Sequence, residues 1–149
     1  MMNVAVACDH GGLPLKEAVL EAVRAAGHHP LDLGTNSPAS TDYPDYAAKV
    51  AEALLSGQAE RGILICGSGV GICIAANKHK GIYAAICHDT YSAHQGVEHD
   101  KMNVLCLGGR IIGTELAKEL VRAFLGAHYS GEERFERRFQ KTAAVEQEK

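Results

Sequence analysis

The sequence has few of the features that mark membrane, secreted or nucleic-acid-binding proteins. Its longest stretch of low charge, residues 62–77, is shorter than the roughly 20 residues of a membrane-spanning helix and is interrupted by glycines. No cluster of Lys and Arg precedes residue 134, and the net charge is only −3, so the basic surface of a nucleic-acid or membrane binder is missing. The opening residues MMNVAVACDHGG lack the basic start and long apolar run of a secretion signal. We therefore expect a cytoplasmic protein with neither nucleic acid nor a membrane as partner.

The cysteines do not form paired motifs. The 5 cysteines are an odd number without any CxxC pair, and most of them stand in apolar runs, at Cys8, Cys66, Cys73, Cys87 and Cys106. This usage is typical of reduced thiols in a reducing compartment. We expect Cys8, Cys87 and Cys106 to be packing residues.

Metal and nucleotide motifs are also missing. The 8 histidines include no HExxH pair, and His94 and His99 are five residues apart, a poor spacing for one helix face. The run GSGVG does not complete a GxGxxG fingerprint because Ile72 occupies the place of the third glycine, and no GK pair exists for a Walker loop. A response-regulator receiver would need Asp where Cys66 stands. We expect no metal and no cofactor.

Short apolar runs alternate with segments of helical period along the chain. The predicted strands are residues 3–8, 29–34, 61–66, 82–87 and 103–108, and the predicted helices are residues 13–27, 46–57, 70–78, 89–99 and 113–126. Such alternation predicts a parallel sheet covered on both faces, because right-handed crossovers place a helix between successive strands. We expect one doubly wound α/β domain over residues 1–130, followed by a C-terminal helical arm of the same domain over residues 131–149.

Reactive side chains and glycines follow the predicted strands directly. Ligands of an open parallel sheet bind beyond the carboxyl ends of its strands, where the crossovers change face. The residues at these ends include Asp9 and His10 after the first strand, Cys66 and Ser68 at the third, and Arg110 after the fifth. We expect them to converge on one edge of the sheet.

Cys66 stands immediately before three alternating glycines at the predicted start of a helix. Backbone N–H groups at such a place bind an anion or a developing oxyanion. The alternative is a tight strand-to-helix turn that needs small residues for steric reasons. A helix N-terminus also favours a thiolate, so Cys66 is a candidate nucleophile or base.

The charged tail carries a second candidate site. Arg134 and Arg138 are four residues apart and share a helix face, with Phe135 and Phe139 beside them. Two guanidiniums on one face suit a phosphate, although a solvated charged helix has the same pattern. The arm could also pack on another subunit.

Five stretches of this chain, taken in order, resemble the ribose-5-phosphate isomerase B family. They are ACDHGG (7–12), DYPDYA (42–47), ICGSGVGICIAANK (65–78), EHDKMNVLCLGGRIIG (98–113) and RFERR (134–138). The resemblance implies a Rossmann-like αβα sandwich with a five-stranded parallel sheet. It also implies a homodimer or dimer of dimers with active sites at the subunit interface, and metal-free aldose–ketose isomerisation of a sugar phosphate, an intramolecular oxidoreduction.

The same resemblance implies residue roles in the isomerisation. Cys66 is similar to the base that takes the C2 proton and returns it at C1 through a cis-enediol, and Ser68 occupies the place where many relatives have Thr. The implied anion hole for the enediolate is formed by the backbone N–H groups of Gly67, Gly69, Val70 and Gly71. The implied ring-opening pair is His99 and Asp9. The implied substrate and phosphate ligands are His10, Tyr43, Asp100, Arg110, Arg134 and Arg138.

The chain departs from the family pattern at Gly96, Val97, Asp100 and Phe135. Asp100 stands where relatives commonly have Asn, so the hydroxyl that it recognises on the sugar could differ. Ribose 5-phosphate is the expected substrate. The alternatives are a tetrose 4-phosphate, allose or galactose 6-phosphate, or a non-catalytic phosphosugar-binding module in which Cys66 only packs.

Overall fold

A computed structural model describes residues 1–148; Lys149, the last residue of the expected arm, lies outside the described residues. The strands β1 to β5 are Asn3–Cys8, His29–Asp32, Arg61–Cys66, Ala84–Ile86 and Val104–Gly108. The helices α1 to α6 are Leu13–Ala25, Tyr43–Leu55, Val70–Asn77, Thr90–Asp100, Thr114–Gly126 and Glu133–Val145, and a 3-10 turn follows at Glu146–Glu148.

The five strands form one parallel sheet in the order β2-β1-β3-β5-β4, which confirms the predicted sheet. The chain first moves from β1 to β2 on one side and then to β3 on the other, so the switch point lies between β1 and β3. Cys8 pairs with Ile65, and Cys66 pairs with Gly108, so the carboxyl ends of the three central strands are nearly level. The ligand-binding crevice of such a sheet is therefore expected beside Cys66.

Helices cover both faces of the sheet and form an αβα sandwich. One core lies under α1, α4 and α5 and includes Val19, Val97 and Phe124. The other lies under α2 and α3 and includes Val50 and Ile72. The central strands are apolar along nearly their whole length because both of their faces are buried. This arrangement confirms the expected Rossmann-like fold.

Several elements differ from the predicted bounds, and three of the differences have a visible physical cause. The second helix begins at Tyr43 rather than at residue 46, because Pro44 lies in its first turn, where a missing N–H costs nothing. The second strand ends at Asp32, whose Oδ1 accepts the Gly34 N–H at 3.2 Å. The fourth strand is reduced to Ala84–Ile86, since the Tyr83 N–H donates to the Asn103 side chain at 2.8 Å instead of to a neighbouring strand.

The last helix, α6, packs against the end of α4 through Lys101. The Lys101 ammonium lies 4.7 Å from the centroid of the Tyr129 ring and 4.4 Å from that of Phe139, and it pairs with Glu136 at 3.1 Å. Tyr129 also donates a hydrogen bond to Glu136 at 3.1 Å. These contacts fix the tail beside α4. Within residues 1–148, no helix has the length and apolar character that crossing a membrane requires.

Candidate active site

A cavity of about 350 Å³ opens at the carboxyl edge of the sheet, at the switch point between β1 and β3. It is lined by Asp9, Tyr43, Cys66, Gly67, Ser68, Gly71, Arg110 and Ile111. A neighbouring pocket shares Asp9 and Tyr43 with it and adds His10 and Thr41. The structure thus brings the strand-end residues singled out from the sequence to one place.

Glycines allow the loops after β1, β3 and β5 to touch backbone to backbone. A methyl group on Gly12 would lie 2.2 Å from the Ile65 carbonyl oxygen, and one on Gly109 would lie 2.6 Å from the Gly11 oxygen. A methyl on Gly108 would lie 2.7 Å from the carbonyl oxygen of Ser68. Side chains at these positions would push the loops apart. Sequence reasoning missed this steric role, because in the sequence these glycines indicate only turns.

The Cys66 sulfur is fixed at the start of α3. Cys66 is 5% exposed, its Sγ accepts the Gly69 N–H at 3.2 Å, and its carbonyl accepts the Gly109 N–H at 2.8 Å. Gly69 caps the helix with φ of +84°, a left-handed conformation that glycine adopts without strain. The sulfur thus lies at the N-terminus of α3 with one backbone N–H group directed at it.

Replacing Gly69 with alanine is expected to destabilise the fold and to displace the N–H group that faces the Cys66 sulfur. Left-handed backbone costs a non-glycine residue about 1–2 kcal/mol, and the added methyl would lie 3.1 Å from the Leu107 carbonyl carbon. Gly57→Ala is the matched control, because Gly57 has φ of +81° and a methyl added there would meet nothing within 4 Å. Urea unfolding should show a larger loss for Gly69→Ala; equal losses would mean that the Leu107 contact is harmless.

Two of the backbone N–H groups expected in the anion hole already have partners within the chain. The Gly69 N–H bonds the Cys66 sulfur, and the Val70 N–H bonds Ser68 Oγ at 3.2 Å. The Gly71 N–H lies in the first turn of α3, beyond the reach of the helix's own carbonyls. The Tyr43 ring covers Gly71 so closely that a methyl there would lie 2.8 Å from Tyr43 Cζ.

Asp9 and His10 are oriented by hydrogen bonds to backbone. Asp9 is 6% exposed, and its Oδ1 accepts the Gly12 N–H at 3.0 Å. His10 Nδ1 accepts the Thr41 N–H at 3.1 Å, and the His10 N–H donates to Thr41 Oγ1 at the same distance. Because Nδ1 accepts, the proton of the neutral ring is on Nε2, which is left as a donor. No motif in the sequence identifies Thr41 as the residue that orients His10.

Arg110 contributes the positive charge of this cavity. Its backbone N–H donates to the Gly67 carbonyl at 2.9 Å, and its guanidinium covers Gly67, where a methyl would lie 3.0 Å from Arg110 Nη1. A guanidinium in such a position can bind phosphate oxygens in pairs.

The remaining predicted residues lie at the opposite edge of the sheet. Helix α4 runs back from the carboxyl edge, so His99 in its last turn lies near the start of β5. With 5 residues in β5 at about 3.3 Å each, the two edges are roughly 16 Å apart. The expected pairing of His99 with Asp9 therefore does not occur within one chain. The direction rule for helices after parallel strands could have shown this from the sequence.

The Phe135 ring lies at the centre of these remaining residues. Its ring stacks on His99 with centroids 3.9 Å apart and planes 11° apart, and the guanidinium carbons of Arg134 and Arg138 lie 4.6 and 5.9 Å from the Phe135 centroid. Asp100 and Arg138 also line a cavity of about 300 Å³ between α4, α6 and β4. His99, Asp100, Arg134 and Arg138, here called the arm cluster, are thus grouped together but apart from Cys66.

The other thiols separate into protonated packing residues and one acidic residue. Burial raises the pKa of Cys8 and of Cys87 to about 11, and both side chains lie in the core with Cys106, which confirms their predicted packing role. A hydrogen bond from the Cys106 thiol lowers the pKa of Cys73 to about 7. No pattern in the sequence indicates this acidic thiol on α3. No group of three or more His, Cys, Asp or Glu side chains in residues 1–148 is arranged to bind a metal ion.

Comparisons with known proteins match nearly the whole chain. The family model described as Ribose/Galactose Isomerase matches residues 4–142. Ribose-5-phosphate isomerase B of Escherichia coli is 46% identical over 147 residues, which cover 99% of this chain and 98% of that protein. D-erythrulose-4-phosphate isomerase of Pectobacterium atrosepticum is 40% identical over 88% of this chain and 87% of that protein.

The same likeness extends to solved structures. Ribose-5-phosphate isomerase B of Clostridium thermocellum superposes with a TM-score of 0.94 at 42% identity, covering 99% of both chains. The match to the family model thus extends from β1 through most of α6. On this evidence the chain belongs to the ribose/galactose isomerase family of sugar-phosphate isomerases.

Proposed function

We propose that this isomerase interconverts ribose 5-phosphate and ribulose 5-phosphate, with Cys66 as the base that moves the proton between C2 and C1. The observation that carries the proposal is the Cys66 sulfur, which accepts the Gly69 N–H at the start of α3 in a cavity that also contains Asp9 and Arg110. A packing thiol would need neither the cavity nor the donor.

The chemistry requires a base and a place for the negative charge. The Cys66 thiolate takes the proton from C2, the negative charge moves to the C1 oxygen of the enediolate, and the Cys66 thiol then gives a proton back at C1. The Gly67 and Gly71 N–H groups are the proposed donors to the enediolate oxygens, since those of Gly69 and Val70 are bonded within the chain. Ser68 Oγ is the group proposed to move hydroxyl protons between the two sugar oxygens. Neither a metal nor a cofactor takes part in this scheme.

A second copy of the chain is proposed to complete each site. The arm cluster lies about the length of the sheet from Cys66. The arm cluster and the Cys66 cavity of one chain therefore do not contact the same sugar. Helix α3, beside Cys66, is apolar but buries only Ile72 and Ala76, leaving Val70 and Ile74 49% and 57% exposed. Exposed apolar side chains on one helix face are typical of a subunit interface. We expect a homodimer, or a dimer of dimers, with interfacial sites.

In this assembly the phosphate and the ring oxygen have separate partners. His10 Nε2 and the Arg110 guanidinium come from one copy, and Arg134 and Arg138 come from the other, so four donors surround the phosphate. His99 of the second copy faces Asp9 of the first across the sugar ring. Asp9 takes the proton of the anomeric hydroxyl during ring opening, and His99 binds the ring oxygen.

The substrate assignment follows the relative that matches the longer part of the chain. The Escherichia coli relative is named for ribose 5-phosphate and matches 99% of this chain, whereas the Pectobacterium relative is named for D-erythrulose 4-phosphate and matches 88%. The proposed order of preference is therefore ribose 5-phosphate, then a tetrose 4-phosphate, then allose or galactose 6-phosphate.

Incubation with a panel of these aldose phosphates in deuterated water tests the function and the substrate together. We expect deuterium to enter at C2 of ribose 5-phosphate faster than at C2 of the tetrose and hexose phosphates, because the Cys66 thiol exchanges the proton it has taken with solvent before it returns one to C2. The measurement is the loss of the C2 proton signal by NMR. Faster exchange with another aldose phosphate would replace ribose 5-phosphate as substrate. Saturable binding without exchange would instead make the protein a phosphosugar-binding module.

A further inference from the structure

His99 Nδ1 faces the side chain of Gln95, which has no role in the proposed isomerisation. Gln95 Nε2 lies 3.1 Å from His99 Nδ1, one helical turn earlier on α4. The same Gln95 nitrogen lies 3.4 Å from Asp100 Oδ2. Phe135 stacks on the face of the ring, so the imidazole is constrained both in its plane and along one edge.

Asp100 decides which end of the Gln95 amide faces His99. An ionised carboxylate only accepts hydrogen bonds, whereas an amide has one donating and one accepting end. The amide end beside Asp100 is therefore the NH₂ group, and the same NH₂ group faces His99 Nδ1. The orientation of an amide is assigned from such partners, and here the carboxylate leaves one choice.

The charged side chains near Gln95 have other partners and do not change the orientation of its amide. Glu98 is bonded to His94 at 2.9 Å, and Glu136 is paired with Lys101 at 3.1 Å. The two arginines of the arm cluster lie over the Phe135 ring. In the described part of the chain, the hydrogen-bond partner of the His99 ring is Gln95.

We infer that Gln95, oriented by Asp100, is a positioning residue that fixes His99 as the tautomer protonated on Nε2. Nδ1 then accepts from the amide, and the Nε2–H group is the donor that His99 presents outward. The tautomer is a property of the free protein. Its use rests on the proposed function: Nε2–H donates a hydrogen bond to the ring oxygen of the sugar while the ring opens.

A second histidine of α4, His94, is expected to have the opposite tautomer and serves as an internal reference. His94 Nδ1 faces the carboxylate of Glu98, four residues later, at 2.9 Å. Because that carboxylate accepts, His94 Nδ1 carries a proton. His94 and His99 should therefore differ in one protein under one condition, and this difference removes solvent and temperature as explanations.

Long-range proton–nitrogen NMR on protein labelled with ¹⁵N-histidine tests the inference. The His99 signals are identified by their absence in His99→Asn, and the neutral ring is expected to be protonated on Nε2 in the native chain. Gln95→Glu replaces the donating amide by a carboxylate that only accepts and is expected to move the proton to Nδ1, as in His94. Asp100→Asn frees the amide to turn and is expected to give a mixture. Nδ1–H in the native chain, or an unchanged tautomer in Gln95→Glu, would overturn the inference.

Kinetics then separate this inference from the proposed function. Gln95→Glu is expected to lower kcat/KM for ribose 5-phosphate, which must open its ring, more than for erythrose 4-phosphate, whose phosphorylated O4 prevents a furanose ring. Gln58→Glu, in the exposed turn between α2 and β3, is the matched control and should change neither value. If the proton moves to Nδ1 in Gln95→Glu but kcat/KM falls equally for both sugars, the proposed role of His99 in ring opening is rejected. Absence of isomerase activity in the native chain would overturn the proposed function and leave the tautomer result standing.

Discussion

Replacing Cys66 with alanine is expected to lower kcat for ribose 5-phosphate by about 10²- to 10⁴-fold, the usual contribution of a positioned general base. The substitution removes only the sulfur, while the loop glycines that shape the cavity stay in place. Sugar-phosphate binding should therefore persist, because Arg110 and His10 are unchanged and the Gly71 N–H remains in the first turn of α3. The measurements are steady-state turnover, deuterium exchange at C2 and binding of the substrate by calorimetry.

Cys73→Ser is the matched control for this prediction. Cys73 is partly exposed, and its pKa is lowered to about 7, so we expect thiol reagents to modify it at neutral pH alongside any reactive Cys66. Chemical inactivation alone would not identify the base. Exchange should continue at nearly the native rate in Cys73→Ser and disappear in Cys66→Ala. Undiminished exchange in Cys66→Ala would reject Cys66 as the base and leave it as a packing residue.

Two inactive variants are expected to regain activity when they are refolded together. Cys66→Ala and His99→Asn each impair every site of their own homodimer. In a mixed dimer with interfacial sites, one of the two sites takes Cys66 from the His99→Asn chain and His99 from the Cys66→Ala chain, so it is intact. Random pairing makes half of the dimers mixed, so the expected recovery is about a quarter of the native activity.

A second pair of variants provides the control for this experiment. Cys66 and Ser68 line the same cavity of one chain. Refolding Cys66→Ala with Ser68→Ala therefore creates no intact site, and activity should stay at the level of the separate variants. If the first pair also shows no recovery although mixed dimers have formed, the arm cluster does not act on a partner's sugar. If neither chain forms dimers, the interfacial site itself is rejected.

Much of the carboxyl edge of the sheet could be predicted from the sequence. The three strands beside the cavity are short apolar runs, and each has a reactive side chain at or just after its end, namely Asp9, Cys66 and Arg110. Because parallel strands end at a common edge, these side chains were expected to lie together. The sequence names Tyr43 only through the family resemblance, and its place on a helix needed the structure, because the predicted helix begins at residue 46 whereas Tyr43 and Pro44 lie in the first turn of α2.

Contacts between distant segments were beyond the reach of local patterns. Thr41 orients His10 from a loop 31 residues away, and no spacing rule connects the two. Gln95 and His99 share a helix face, which the sequence allows, but the direction of the Gln95 amide depends on the carboxylate of Asp100. The close contact of Gly12 with Ile65 likewise depends on how the loops after β1 and β3 meet.

The sequence by itself determined the fold class, the carboxyl-edge residues and, through its motifs, the family. Periodicity and strand-end position are local properties, and the right-handed crossover turns them into one topology. Only the tertiary structure decided that Arg134 and Arg138 of α6 join His99 at the edge of the sheet opposite Cys66. The physical reason is that α6 is held beside the end of α4 by contacts between separate segments, those of Lys101 with Tyr129, Glu136 and Phe139.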